Sequence, residues 1–253
     1  MTTIYNVTVG TYGGGNKYYI NGQLTPTLNL SEGTTYRFDQ SDSTNGGHPI
    51  RFSTTSDGTH GGGSEYTTGV TTSGTAGSSG AKTVITVAAS APTLYYQCSN
   101  HAGMGGQANT NSTFGSSNFS GSIQSKVSAN TDAGFSIVSW SGSGANATIG
   151  HGLGAEPKII FLKIRTGTNN WQVYSKSIGS GNALFLNTTD ASGSNTGWQS
   201  TDATSSVFYV SGGTAVNGSG QDLIAYCFAE KKGYSKIGSY IANGNADGAF
   251  VYT

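Results

Sequence analysis

The stretch Leu94-Tyr95-Tyr96-Gln97-Cys98-Ser99-Asn100-His101-Ala102-Gly103-Met104-Gly105-Gly106 begins as a strand and ends as a tight loop. Leu94 to Cys98 is an unbroken β-favouring run, whereas Ser99 onward is small, polar and glycine-rich. Outward from it, strand-like alternation recurs at Ile4–Val9, Tyr18–Ile20, Thr27–Leu30, Thr35–Phe38, Pro49–Phe52 and Thr83–Val87, each bounded by Gly, Asn, Ser or Asp clusters. That many short strands in about a hundred residues is the pattern of a β-sandwich. The segment from Thr54 to Gly80 is nearly pure Gly, Ser and Thr, with Tyr66 and Val70 as candidate buried anchors, and reads as a long surface excursion.

The pattern restarts at Phe135–Trp140 and continues through Ala147–Ile149, Lys158–Ile164, Trp171–Tyr174, Ala183–Leu186, Val207–Val210, Leu223–Phe228 and Tyr234–Ile241. This is a second antiparallel β pattern, sandwich or jelly roll. Residues from about Gln107 to Asp132 lack sustained periodicity, so the domain boundary is expected there. The expected organisation is a β-sandwich over 1–108, a linker over 109–132 that docks through Phe114, Phe119 and Ile123, and a second β domain over 133–253. The last residues, Ala249 to Thr253, read as a strand that either pairs in the final sheet or has been cut from something longer.

Composition narrows the function classes. Only 9% of the 253 residues are charged and Gly supplies 40, which starves helices of their usual formers. Disordered chains are poor in aromatics, and this one has 14 Tyr, 10 Phe and 3 Trp. The formal net charge is zero, so a basic surface that tracks a phosphate backbone is not expected, and nucleic acid is excluded as a partner. No apolar run is long enough to span a bilayer. The first residues alternate like a strand and do not read as a signal peptide. Cys98 and Cys227 are expected to be independent thiols. An exposed-type surface without an export signal is reconciled in virion proteins, which assemble in the host cytoplasm and reach the outside by lysis.

One constellation carries chemistry. His48, in Gly46-Gly47-His48-Pro49-Ile50-Arg51-Phe52, opens a strand, and Cys98, His101 and Met104 follow another. One upstream His with a Cys-x2-His-x2-Met loop is the ligand set of a blue-copper site, two imidazoles and a thiolate in a plane with a weak axial thioether. Gly103, Gly105 and Gly106 permit the tight turns that bring three ligands from one loop onto one ion. Copper is the candidate cofactor, though the fold does not require it, and zinc is less natural beside a Met.

The residues from about Tyr18 to Gly106 resemble a cupredoxin, with the ligand spacing of its small-loop members. The resemblance implies a Greek-key β-sandwich. The segment FDQSDSTNGGHPIRFSTTSDGTHGGGSEYTTG (38–69), with YYQCSNHAGMGG, also resembles a segment of structural proteins of marine bacteriophages, cyanophages and pelagiphages among them. In the second half, IGHGLGAEPKIIFLKIR, WQVYSK and DLIAYCFAEKKGYSKIGSYIANGNADGAFVYT resemble a tail-fibre-type module of those virions. Together they imply an all-β virion structural protein: a cupredoxin-like sandwich followed by a lectin-like sandwich or jelly roll, serving as a fibre, spike or capsid decoration. Expected partners are copies of itself, as a trimer, other virion proteins and a host-surface glycan. The alternatives are a type 1 copper electron-transfer protein and a glycan-binding extracellular filament subunit.

Other residues take plainer readings. His60 reads as a surface ring without a partner. His151, between glycines, reads as a turn residue bonded to backbone, and Cys227 as a core thiol. The acidic residues share no spacing that predicts a common face, and neither a nucleophile elbow nor a phosphate loop occurs, so no enzyme is expected. Trp140 and Trp171 stand in strand patterns and read as core. Trp198, in Asn195-Thr196-Gly197-Trp198-Gln199-Ser200, reads as the exposed ring that stacks on a glycan.

Overall fold

The computed structural model describes residues 2–110, 115–244 and 247–248. The strand expected over 249–253 and the anchor Phe114 lie outside the described residues. The fold is all-β, and the chain divides into two compact units, Met1–Ser116 and Ser117–Thr253.

The first unit is built from β1 (Thr2–Tyr12), β2 (Gly15–Ile20), β3 (Gln23–Leu24), β4 (Leu28–Asn29), β5 (Thr35–Asp39), β6 (Ile50–Ser53), β7 (Val70–Ser73), β8 (Lys82–Thr86), β9 (Leu94–Cys98) and β10 (Gly106–Asn109). One sheet has the order β3-β2-β1-β5-β8-β7 and the other β4-β10-β9-β6. Alternation explains the core, because Tyr5 and Val7 of β1 and Tyr36 and Phe38 of β5 are buried while their neighbours face outward. Phe38 meets Phe52 of the opposite sheet edge-on at 5.3 Å, and Tyr18 meets Tyr96 at 6.5 Å, so aromatic rings hold the sheets together. Each such ring contributes about 1.5–3 kcal/mol through burial alone. Most pairings are antiparallel, but β1 runs parallel to β5 and β4 parallel to β10. The polar excursion is partly ordered into this scaffold. It contains a 3-10 turn over Gly58–Gly61, and β7 pairs with β8, placing Val70 opposite Ile85.

The second unit comprises β11 (Ser116–Asn118), β12 (Ser125–Asn130), β13 (Phe135–Ser141), β14 (Ala147–Gly150), β15 (Ile159–Ile164), β16 (Gln172–Ser175), β17 (Asn182–Phe185), β18 (Gly193–Ser194), β19 (Val207–Val210) and β20 (Asp222–Phe228). A large sheet, β11-β12-β13-β20-β15-β16-β17-β18, faces a two-stranded one, β14-β19, giving a sandwich of unequal layers. Val138, Leu162 and Ala225 of the large sheet pack with Ile149, Phe208 and Val210 of the small one. Trp140 lies edge-on to Phe208 at 5.7 Å and donates through Nε1 to Oδ1 of the buried Asn217 at 3.0 Å. The outer face of the large sheet is aromatic too: Phe135 and Phe161 flank Phe228, and Trp171 stacks on Tyr226 at 6.2 Å. Trp171 is therefore half-buried on that face and not in the core.

Two expectations are corrected. The segment 109–132 is not a linker, since it contains β11 and β12, and β12 pairs with β13 from Lys126 to Asn130. Its strand lacks apolar alternation because polar side chains anchor it: Ser125 Oγ donates to the Gly150 carbonyl at 2.9 Å. Tyr234 to Ile241 is not a strand. An isolated bridge between Lys231 and Ser235 closes a turn around Gly233, whose φ of +77° breaks the extended run.

Candidate metal centre

Cys98 closes β9, and the register of that strand with β6 sets it opposite Ile50, two residues after His48. The His48 backbone is fixed on both sides. Its N–H donates to the Asn45 carbonyl at 2.8 Å, and its carbonyl accepts from Tyr18 Oη at 2.8 Å and Gln40 Nε2 at 2.9 Å. This backbone clamp turns Nδ1 of His48 to 3.9 Å from Cys98 Sγ, while Nδ1 of His101 lies 3.7 Å from the same sulfur. The rings are 4.6 Å apart between centroids, and the three donor atoms all lie within 4.8 Å of one another. A thiolate at about 2.3 Å and an imidazole at about 2.0 Å from one ion are themselves about 3.5–3.7 Å apart at tetrahedral to trigonal angles. The observed separations fit one ion shared by all three.

One thiol and two imidazoles form a soft to borderline donor set. Cys98 is fully buried, His48 half-buried and His101 exposed, so the site opens to solvent on the His101 side. Desolvation, and secondarily the neighbouring His101, hold the His48 imidazole below its ordinary pKa and keep its lone pair available. The Asn100 N–H donates to Cys98 Sγ at 3.4 Å. The Tyr18 phenol is pushed above its ordinary pKa by burial and then by Cys98, so it stays neutral. On the far side of His48, Nε2 lies 3.5 Å from the side-chain amide of Asn16; a flip of that amide presents its oxygen to an Nε2–H, the tautomer that ligation through Nδ1 requires.

Met104 is 1% exposed, and its carbonyl accepts from the Tyr18 N–H at 2.9 Å, so the end of the loop is fixed to β2. Gly105 cannot be replaced without movement, because a Cβ there would sit 1.7 Å from the Tyr96 carbonyl oxygen. Thus the structure brings His48, Cys98 and His101 together and buries Met104 in the same loop.

Residues not singled out in the sequence complete the surround. Asn100 Nδ2 donates to the Gly47 carbonyl at 2.9 Å, joining the Cys98 loop to the His48 loop. The polar excursion returns here: Asp57 Oδ1 accepts from the Gly103 N–H at 2.8 Å, the Thr59 N–H donates to Gln97 Oε1 at 3.2 Å, and His60 Nε2 donates to the Cys98 carbonyl at 3.1 Å. His60 is thus not the partnerless ring expected. The signal was weak, since Asp57 and His60 lie about forty residues from the loop they brace and match no short motif.

In the second unit, Trp198 is corrected as a glycan contact. It is 1% exposed and packs edge-on against Tyr174 at 5.6 Å. Its polar neighbours read as a surface loop, but consecutive left-handed residues, Gln199 at φ +54° and Ser200 at +48°, turn the chain there, and the ring lies in the core. His151 is fully buried, donates through Nε2 to the Thr204 carbonyl at 3.1 Å and accepts the Leu153 N–H on Nδ1 at 3.3 Å. Cys227 is a core thiol whose pKa burial pushes up to about 12.

No curated protein matches the chain, and no solved structure matches it. One family model does, over residues 107–253, more than half of the sequence and all of the second unit. The chain therefore belongs to the family described as a domain of unknown function, DUF7483.

Proposed function

We propose that the first unit is a cupredoxin-like module that binds one copper ion through His48, Cys98, His101 and Met104. The observation that carries this reading is the convergence of two imidazole nitrogens and one thiol on a common point, at separations suited to a single ion. A bound copper would supply one-electron redox chemistry or a cross-link between the His48 and Cys98 loops. The protein's own part is to hold the donors in place: the Tyr18 and Gln40 clamp aims His48, and Asn100 fixes the spacing of the two loops. The test is to load the purified full chain with Cu(II), desalt it, and record the visible spectrum and bound metal. One copper per chain with an intense visible band, both lost in Cys98→Ser, supports the reading. A chain that retains no copper after desalting overturns it.

For the chain as a whole we propose a structural, non-enzymatic role in a bacteriophage particle, as a fibre, spike or capsid decoration that assembles with copies of itself and other virion proteins. Support comes from the virion-type sequence segments and from a surface of Gly, Ser, Thr and Asn with few charges, which suits close packing of repeated copies in salt. Mass spectrometry of purified particles tests it: the chain should be present at a symmetric copy number, as for a trimer. Its absence from particles made in cells that express it overturns the assignment.

A further inference from the structure

Between β16, β17, β18 and the turns at 194–200 and 211–216, the second unit has an open cavity of about 710 Å³. That volume is in the range of preformed small-ligand sites. No charged residue lines it. Gln172, Asn195, Thr196, Ser200 and Thr214 present amides and hydroxyls, and Phe185 adds an aromatic ring.

The amides are not spent on the fold. Gln172 is only 4% exposed, yet its side-chain amide has no hydrogen-bond partner among the described residues. Its place in the cavity lining leaves that amide open to a ligand with matching groups. Asn195 spends its Oδ1 on the Gly197 N–H at 2.6 Å, leaving its NH₂ end for another acceptor. The hydroxyls of Thr196, Ser200 and Thr214 likewise make no hydrogen bond among the described residues.

The wall is also preorganised. Gln199 Nε2 donates to the Ala147 and Val210 carbonyls at 3.1 and 2.7 Å, and the Ser211 N–H donates to the Gly197 carbonyl at 2.8 Å. These bonds hold the left-handed pair Gln199 and Ser200, a conformation that side-chain-bearing residues adopt only when the surroundings enforce it.

We infer that this cavity binds a neutral saccharide. A pyranose offers adjacent hydroxyls that both donate and accept, as the amides and hydroxyls here do, and a C–H face for Phe185. Without a cation or carboxylate in the lining, an anionic sugar or a charged peptide gains nothing there. The inference rests on the second unit alone and is independent of whether the first binds copper.

The test is an array of neutral, sialylated and sulfated oligosaccharides probed with the full chain, followed by calorimetric titration of the best neutral glycan. Neutral glycans should bind and anionic ones should not. Gln172→Leu should weaken binding about 10-fold or more with little change in Tm, since the amide it removes makes no hydrogen bond within the fold. Thr214→Val, outside the regular strands, decides the matter if Gln172→Leu does not fold. Absence of neutral-glycan binding, a preference for anionic glycans, or wild-type affinity in the folded variants would overturn the inference.

Discussion

The imidazole of His60 donates through Nε2 to the backbone carbonyl of Cys98 at 3.1 Å. It reaches there from the polar excursion, across thirty-eight residues of sequence, and bonds the backbone of the one donor shared by both short contacts in the His48–Cys98–His101 cluster. The bond fixes the peptide that carries the thiol without occupying the sulfur.

Removing it should loosen the thiol more than the fold. His60→Ala is expected to weaken copper binding about 10–100-fold, the usual cost of losing an outer partner of a metal ligand. Titration against a competing chelator measures this, and unchanged affinity would show that the contact is incidental.

Gly105 sets a steric limit on the loop. With a Cβ 1.7 Å from the Tyr96 carbonyl oxygen, Gly105→Ala must displace β9 or the loop, at a cost of about 2–4 kcal/mol. Thermal unfolding of the variant should show a lowered Tm for the first unit, and its copper stoichiometry should fall with it.

In the second unit, Asn217 is the hinge pin of a buried polar network. Its Oδ1 takes the Trp140 indole N–H, and its Nδ2 donates to the Ala145 carbonyl at 2.8 Å and Ser143 Oγ at 3.0 Å. Asn217→Ala strands the buried Trp140 indole N–H away from water and should destabilise the unit by about 1–3 kcal/mol. Denaturant titration followed by Trp fluorescence would read the loss directly.

Acid sensitivity should centre on His151. Burial holds its pKa below the ordinary 6.5, so the folded form keeps the ring neutral while the unfolded chain protonates it. The unfolded state then binds more protons, and stability is full above pH 6.5 and declines as pH falls from there towards the folded pKa. The slope reaches at most about 1.4 kcal/mol per pH unit from this one group. Tm measured against pH should show the decline, and His151→Gln should flatten it.

Much of this was legible in the sequence because it is local. Alternation marked the strands from Ile4 to Cys98, and residue order alone placed Cys98, His101 and Met104 in one loop. His48 was legible because it stands two residues before β6, the strand paired with β9. What escaped depends on where the chain returns. The excursion looked structureless by composition, yet Asp57 and His60 brace the loop through hydrogen bonds to backbone, which need no hydrophobic period. The run around β12 was misread for a related reason, since serine side chains and cross-strand backbone bonds hold a strand whose apolar pattern is weak. Trp198 was misplaced because its neighbours are polar and the direction of its ring is set by two left-handed residues that follow it.

The parallel pairing of β4 with β10 also governs the order of events as the chain is made. Leu28 waits for Ala108, so β4 has no partner in its sheet until the residues of the donor loop have already emerged. Closing such a distant contact is slow compared with forming hairpins. On the ribosome, β1 and β2 can pair early, whereas β6 has no strand partner in its sheet until β9 has been made. His48 and Cys98 therefore cannot come together before β9 has been made, so the donor set is completed late in the synthesis of this unit.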